Sequence, residues 1–132
     1  MINLELSGCV ILDDKERILL LWKIKHEHYE LAGGKMEENE IPEVTAIREV
    51  REEIGCEVDI IKYIGCEDFE INDMYIKSHK FIAKLKPNNE PKIMEKDVFS
   101  KIFWMPIKDY EKYSIAPNVK QFCVKYLKRE YD

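Results

Sequence analysis

Glu49, Glu52 and Glu53 are three carboxylates that could do chemistry at a telling spacing. On a helix advancing ~100° per residue they fall within a sector of roughly 100°. Like charges so placed destabilise an isolated helix by a few tenths of a kcal/mol per pair. Close to a helix C-terminus they also oppose the macrodipole. A divalent cation reverses both penalties, and carboxylate oxygens at this density suit Mg²⁺ or Mn²⁺. The plain alternative is a solvated helix face, and the wheel by itself does not separate the two.

The element that must carry these glutamates is a helix over Pro42–Ile54, with proline in its first turn and Gly55 as its stop. Val44, Ile47, Val50 and Ile54 lie opposite the glutamates and are expected to face the core. Residues 4–12 and 17–24 are apolar runs flanking the turn-like Asp13-Asp14-Lys15-Glu16, and they read as a strand pair. Residues 29–31 form a short strand leading into Gly33-Gly34. Residues 59–69 and Met74–Leu85 read as strands joined by the Asn72-Asp73 turn. A proline-broken loop runs from 87 to about 100, then come a strand over 102–105 and an amphipathic helix over 119–128. This alternation predicts an α/β fold with a mixed sheet covered by helices on both faces.

Composition bounds the possible partners. The 132 residues are 45% hydrophobic and 36% charged, which suits one soluble domain over 1–132. A net charge of -5 argues against a broad nucleic-acid or anionic-membrane surface. It leaves room for a small phosphorylated substrate, because a bound cation can invert the local sign. Cys9, Cys56, Cys66 and Cys123 form no CxxC pair, so reduced thiols are expected rather than zinc ligands or disulfides. The first residues lack a signal-peptide pattern, and the apolar run 18–22 is too short to cross a bilayer. A cytoplasmic protein is the expectation, and a homodimer is compatible with the sequence.

From Gly34 the chain reads Gly34-x5-Glu40-x7-Arg48-Glu49-Val50-x-Glu52-Glu53-x-Gly55-Cys56. This resembles the signature of the Nudix, or MutT-like, hydrolase family. All seven fixed positions match, an outcome rarer by chance than one in about 10⁷ starting points. There are departures. Cys56 takes an aliphatic position, and Ala32 replaces a proline common before the paired glycines. Ile41 stands where the family often has a Ser or Thr cap, a loss of about 1 kcal/mol.

The resemblance implies the Nudix fold and a set of roles. Glu49, Glu52 and Glu53 would bind Mg²⁺, with Mn²⁺ a possible substitute, helped by the Gly33 carbonyl. The cations would neutralise a pyrophosphate and activate the attacking water. Glu52 or Glu53 would serve as general base, Glu53 being preferred. Arg48 would orient the glutamates, and Glu40 would support the loop or reach a metal through water. Gly34 and Gly55 complete the motif. A further carboxylate is expected from the loop before the penultimate strand: Glu95, with Glu90 and Asp97 as alternatives. Lys23, Lys25, His26, His28 and Lys35 could meet phosphates, although each is also explained as surface. Asn118 sits where MutT-like hydrolases can place a base-reading asparagine; the competing role is a helix N-cap. Tyr29, Tyr75 and Phe81 could stack on a base, with core packing the simpler role.

A nucleoside triphosphate, intact or oxidised, cleaved to monophosphate and pyrophosphate, is the substrate class expected first. ADP-ribose or a nucleotide sugar is the alternative. Those subfamilies often carry a proline some fifteen residues past the box, and this chain has none between Pro42 and Pro87. A non-catalytic nucleotide-binding regulator would usually lack a box glutamate, and all three are present.

Overall fold

A computed structural model describes residues 2–132. Strand β1 (Ile2–Ile11) lies inside a mixed sheet. It runs antiparallel to β4 (Ala32–Lys35) and parallel to β6 (Met74–Leu85), and β6 pairs in turn with β5 (Val58–Ile71). A second, antiparallel sheet has β2 (Arg17–Lys23) between β3 (His28–Glu30) and β7 (Phe99–Pro106).

The apolar runs in β1 and β2 follow from burial on both faces. Cys9, Ile11, Leu19 and Leu21 share one core with Val50 and Ile54 of α1 (Pro42–Ile54). The residues between them, Val10, Ile18 and Leu20, share another with Val119, Phe122 and Cys123 of α2 (Pro117–Leu127). Alternate side chains of a strand point to opposite faces, so a strand with helices on either side must be apolar throughout. The helix–sheet–helix layering expected from sequence is present.

Two expectations are corrected. Residues 4–12 and 17–24 are not a paired hairpin; they touch at a single Leu12–Ile18 bridge and then part into different sheets. The Asp13 carboxylate accepts the backbone N–H groups of Lys15 and Arg17, both at 2.9 Å, and Glu16 is left-handed at φ 55°. That turn carries the chain across, and each strand finds longer partners elsewhere. Second, Val44 is 48% exposed, not core. The buried stripe of α1 is Thr45, Ala46, Val50, Glu53 and Ile54, so the face against the sheet contains an acid.

Other boundaries fall where punctuation placed them. Gly55, left-handed at φ 68°, ends α1 and donates its N–H to the Arg51 carbonyl at 3.0 Å. Asn72 and Asp73, at φ 48° and 64°, turn β5 into β6 with the left-handed pair that tight hairpins favour. A 3₁₀ helix over Ile107–Lys112 was not anticipated. All four cysteines are free, three of them buried and Cys66 exposed. No helix among the described residues is long and apolar enough to cross a membrane.

Candidate active site

Small residues let α1 press close to the sheet. The Ser7 hydroxyl donates to the Pro42 carbonyl at 2.7 Å, and Cys9 lies beneath Ala46. On β4, Gly33 and Gly34 pair with Gly8 and Ser7. A Cβ on Gly34 would lie 2.5 Å from the Glu49 carboxyl carbon, so the absent side chain is the space that the carboxylate occupies. A Cβ on Gly33 would lie 2.7 Å from the Gly8 Cα. The Gly33 N–H donates to Glu53 Oε1 at 2.9 Å. The two glycines thus define where two of the three box carboxylates sit.

Glu53 is only 5% exposed, beneath α1. Burial, followed by repulsion from Glu49 and Glu95, pushes its carboxyl up to about 9 against the pull of the Gly33 N–H and Lys23. Burial also raises Glu49, with Glu52 and Glu95 adding to the shift and Arg48 opposing it. Glu95 reaches this cluster because the 87–98 loop is pinned to the end of α1. The Lys92 and Met94 N–H groups donate to the Ile54 and Glu53 carbonyls at 3.1 and 3.0 Å. The Glu95 carbonyl in turn accepts from Val98 and Phe99, each at 3.0 Å.

Arg48 organises the outer side. It makes a fork to Glu40 at 2.7 and 2.9 Å and reaches both Glu52 oxygens at 3.0 Å, Glu49 at 3.1 Å and the Lys35 carbonyl at 2.9 Å. Glu40 is held down to about 2 by Arg48 first, then by the Glu37 N–H, with Thr45 also donating. Its oxygens are engaged in tying the loop to the helix. Glu52 is the exposed member of the three.

The donor set fits a hard divalent cation. The charges of Glu49 and Glu95 raise Glu53, and those of Glu52 and Glu95 raise Glu49, a repulsion that is costly alone and is relieved by Mg²⁺ or Mn²⁺.

Gly33 and Gly34 also line a cleft of about 410 Å³, whose other walls include Phe69, Ser78, Lys80 and Asn118. That volume is in the range of small-ligand sites. Asn118 is not the helix N-cap: Ala116 holds that position, and Asn118 lies in the first turn of α2 facing the cleft. Phe81 is buried in the core, and Tyr29 packs on Trp22 and Phe103, so neither stacks in the cleft. Lys23 lies close enough to Glu53 and Glu30 to act on both charges, with its ammonium over the Phe99 ring. Lys35 is exposed at the end of β4. Glu90, Glu95 and Asp97 are all exposed, and of the three Glu95 is among the main charges acting on Glu49 and Glu53. Phe69, Ser78 and Lys80 went unnoticed in the sequence; Ile76, Ser78 and Lys80 share one face of β6 at a spacing of two, the signal that marks them.

The NUDIX domain model matches residues 6–124. The chain belongs to the NUDIX family. An 8-oxo-dGTP diphosphatase of Proteus vulgaris is 36% identical over 85 residues, 61% of this chain and 76% of that protein. YtkD of Bacillus subtilis is 46% identical over 46 residues, 35% of this chain but only 29% of its own length. In fold, the chain is similar to a MutT NUDIX hydrolase from Burkholderia pseudomallei, with TM-score 0.82 and 21% identity. That match covers 93% of this chain and 97% of the other. Residues 34–56 are therefore a Nudix box in a Nudix hydrolase domain, on the family's fold.

Proposed function

We propose that residues 1–132 form one catalytic domain that hydrolyses a nucleoside triphosphate, intact or oxidised on its base, to the monophosphate and pyrophosphate. The observation that carries this reading is the seating of Glu49 against Gly34 and of Glu53 on the Gly33 N–H, the two glycines that open on the cleft. Glu49, Glu52, Glu53, Glu95 and the Gly33 carbonyl would hold Mg²⁺. When bound, that cation supplies charge neutralisation at the pyrophosphate and acidifies the water that attacks phosphorus. Glu53, fixed at Oε1 by the Gly33 N–H, is the preferred proton acceptor, with Glu52 the alternative. Arg48 positions Glu49 and Glu52 rather than touching the reacting atoms. Asn118 and Phe69 offer base hydrogen bonding and stacking in the cleft, and Lys23, whose charge acts on Glu53, and the exposed Lys35 beside Gly34 are the proposed phosphate contacts.

The inclusion of base-oxidised triphosphates draws on the Proteus relative's name and on the polar cleft wall at Asn118. Every residue named comes from one chain, so a homodimer is compatible and not required. The deciding experiment is phosphate-product analysis with Mg²⁺ over nucleoside triphosphates, 8-oxo-dGTP, ADP-ribose and dinucleoside polyphosphates. Monophosphate and pyrophosphate from a triphosphate, lost in Glu53→Gln, are expected. Nucleotide binding without turnover by the unmutated protein would sink catalysis, and turnover of ADP-ribose alone would redirect the substrate.

A further inference from the structure

Outside the box, three metal-ligating side chains converge on the cleft wall. His26 Nδ1 and His28 Nε2 lie 2.8 and 2.6 Å from the same oxygen, Glu30 Oε2, with the imidazoles edge to face at 5.4 Å. All three ligand atoms lie within 4.8 Å of one another. We infer that His26, His28 and Glu30 form a second metal site for a zinc-class divalent ion, distinct from the all-oxygen box, an inference that does not rest on the activity proposed above.

The backbone holds this triad in place. His28 and Glu30 stand two apart on β3 and so share a face. His26 is returned to that face by a turn in which Glu27 is left-handed at φ 52° and its N–H donates to the Lys23 carbonyl at 2.9 Å. A second segment braces the strand: the Tyr29 N–H donates to the Ser114 carbonyl at 2.8 Å and the Ala116 N–H to the Tyr29 carbonyl at 2.9 Å. The Ser114 hydroxyl holds the Glu27 carbonyl at 3.1 Å. The histidines are thus not loose surface groups; their main chain is tied to the segment that enters α2.

The chemistry differs from that of the box. Two imidazole nitrogens and one carboxylate oxygen form a borderline-soft set that selects Zn²⁺, Co²⁺ or Ni²⁺ over Mg²⁺. Bonds of about 2.0–2.1 Å around a tetrahedral ion space its ligand atoms by about 3.3 Å. Opening the present contacts to that spacing moves each group by less than about 1 Å. Three protein ligands leave an open position, and because His26, His28 and Glu30 all line the cleft, the ion borders the space where a ligand sits. Its occupancy adds positive charge to that wall and so strengthens binding of an anionic ligand.

The test uses the whole protein in excess Mg²⁺, which fills the box, followed by one equivalent of Co²⁺ read by visible absorption. A four- or five-coordinate Co²⁺ band that Zn²⁺ displaces is expected. The band should vanish in His28→Ala and Glu30→Gln and persist in Glu53→Gln. His26→Ala, at an exposed turn position, should weaken Co²⁺ binding at least about tenfold and provides a second variant should His28→Ala fold poorly. No band, a band surviving both histidine substitutions, or a band lost only in Glu53→Gln overturns the site.

Discussion

Gly34→Ala separates chemistry from folding more cleanly than any charge substitution in this protein. The added Cβ would lie 2.5 Å from the Glu49 carboxyl carbon and 2.6 and 2.7 Å from its oxygens. Ordinary contact begins at 3.4 Å, so the carboxylate must retreat by about 0.9 Å. What it meets is the end of a flexible side chain, and the backbone need not move. The cost in stability is therefore small, under about 1 kcal/mol. The cost in function is not small, because misplacing a reacting constellation by about 1 Å removes about 10²-fold in rate. Gly33→Ala is the control: its Cβ would strike the Gly8 Cα at 2.7 Å and the Ser7 carbonyl oxygen at 2.9 Å, both backbone. Thermal unfolding together with kcat/KM against Mg²⁺ concentration reads both variants. Gly34→Ala should keep its Tm within a few degrees, need more Mg²⁺ and lose about 10²-fold in kcat/KM. Gly33→Ala should instead lose Tm heavily. Parental turnover and metal dependence in Gly34→Ala would refute the placement of Glu49 at the metal.

Three further outcomes follow from the same geometry. Ile41→Ser should raise stability by about 0.5–1 kcal/mol in chemical denaturation without altering turnover, because Ile41 has extended N-cap dihedrals and no side-chain cap bond. Glu95→Gln should lower turnover with little change in unfolding midpoint, since the side chain is exposed and the loop is held by backbone bonds; Asp97→Asn should leave turnover intact. Glu40, held near 2, contributes stability that is complete above the ordinary carboxylate range of about 4.3 and is lost as pH falls through about 2. Glu40→Gln should therefore flatten the acid limb of a Tm–pH curve; an unchanged acid limb would remove the Glu40–Arg48 fork from the stability account.

The helix Pro42–Ile54 could be read to the residue because proline and glycine act locally, on dihedrals and on a missing N–H. The Asn72-Asp73 turn was readable because Asn and Asp tolerate the left-handed conformation that both adopt. The strand pairing was not. Neighbouring apolar runs suggest a hairpin, and only the competition among all strands shows that β1 prefers β6 while β2 prefers β7. The wheel placed the carboxylates opposite the core, yet the sheet presses on α1 at Ala46 and Glu53, leaving Val44 outside. A wheel gives relative angles but not where the neighbour stands. For Glu53 the difference matters, since its burial is what makes it unlike a surface glutamate. Strand β4 was missed because paired glycines carry no strand propensity; here they pair where a side chain would collide. Glu95 was singled out by its family position, and its approach to Glu49 and Glu53 depends on bonds from a loop that has no periodicity.

The two cores on opposite faces of the sheets divide inheritance as well as space. The box is seated on the core containing Val50 and Ile54, whereas Asn118 rides on α2, seated on the core containing Val119 and Phe122. Changes that reshape the α2 side can accumulate without disturbing the spacing of the glutamates. On the proposed reading, a lineage or an engineer can therefore vary the wall that meets the nucleobase while leaving the spacing of the glutamates untouched.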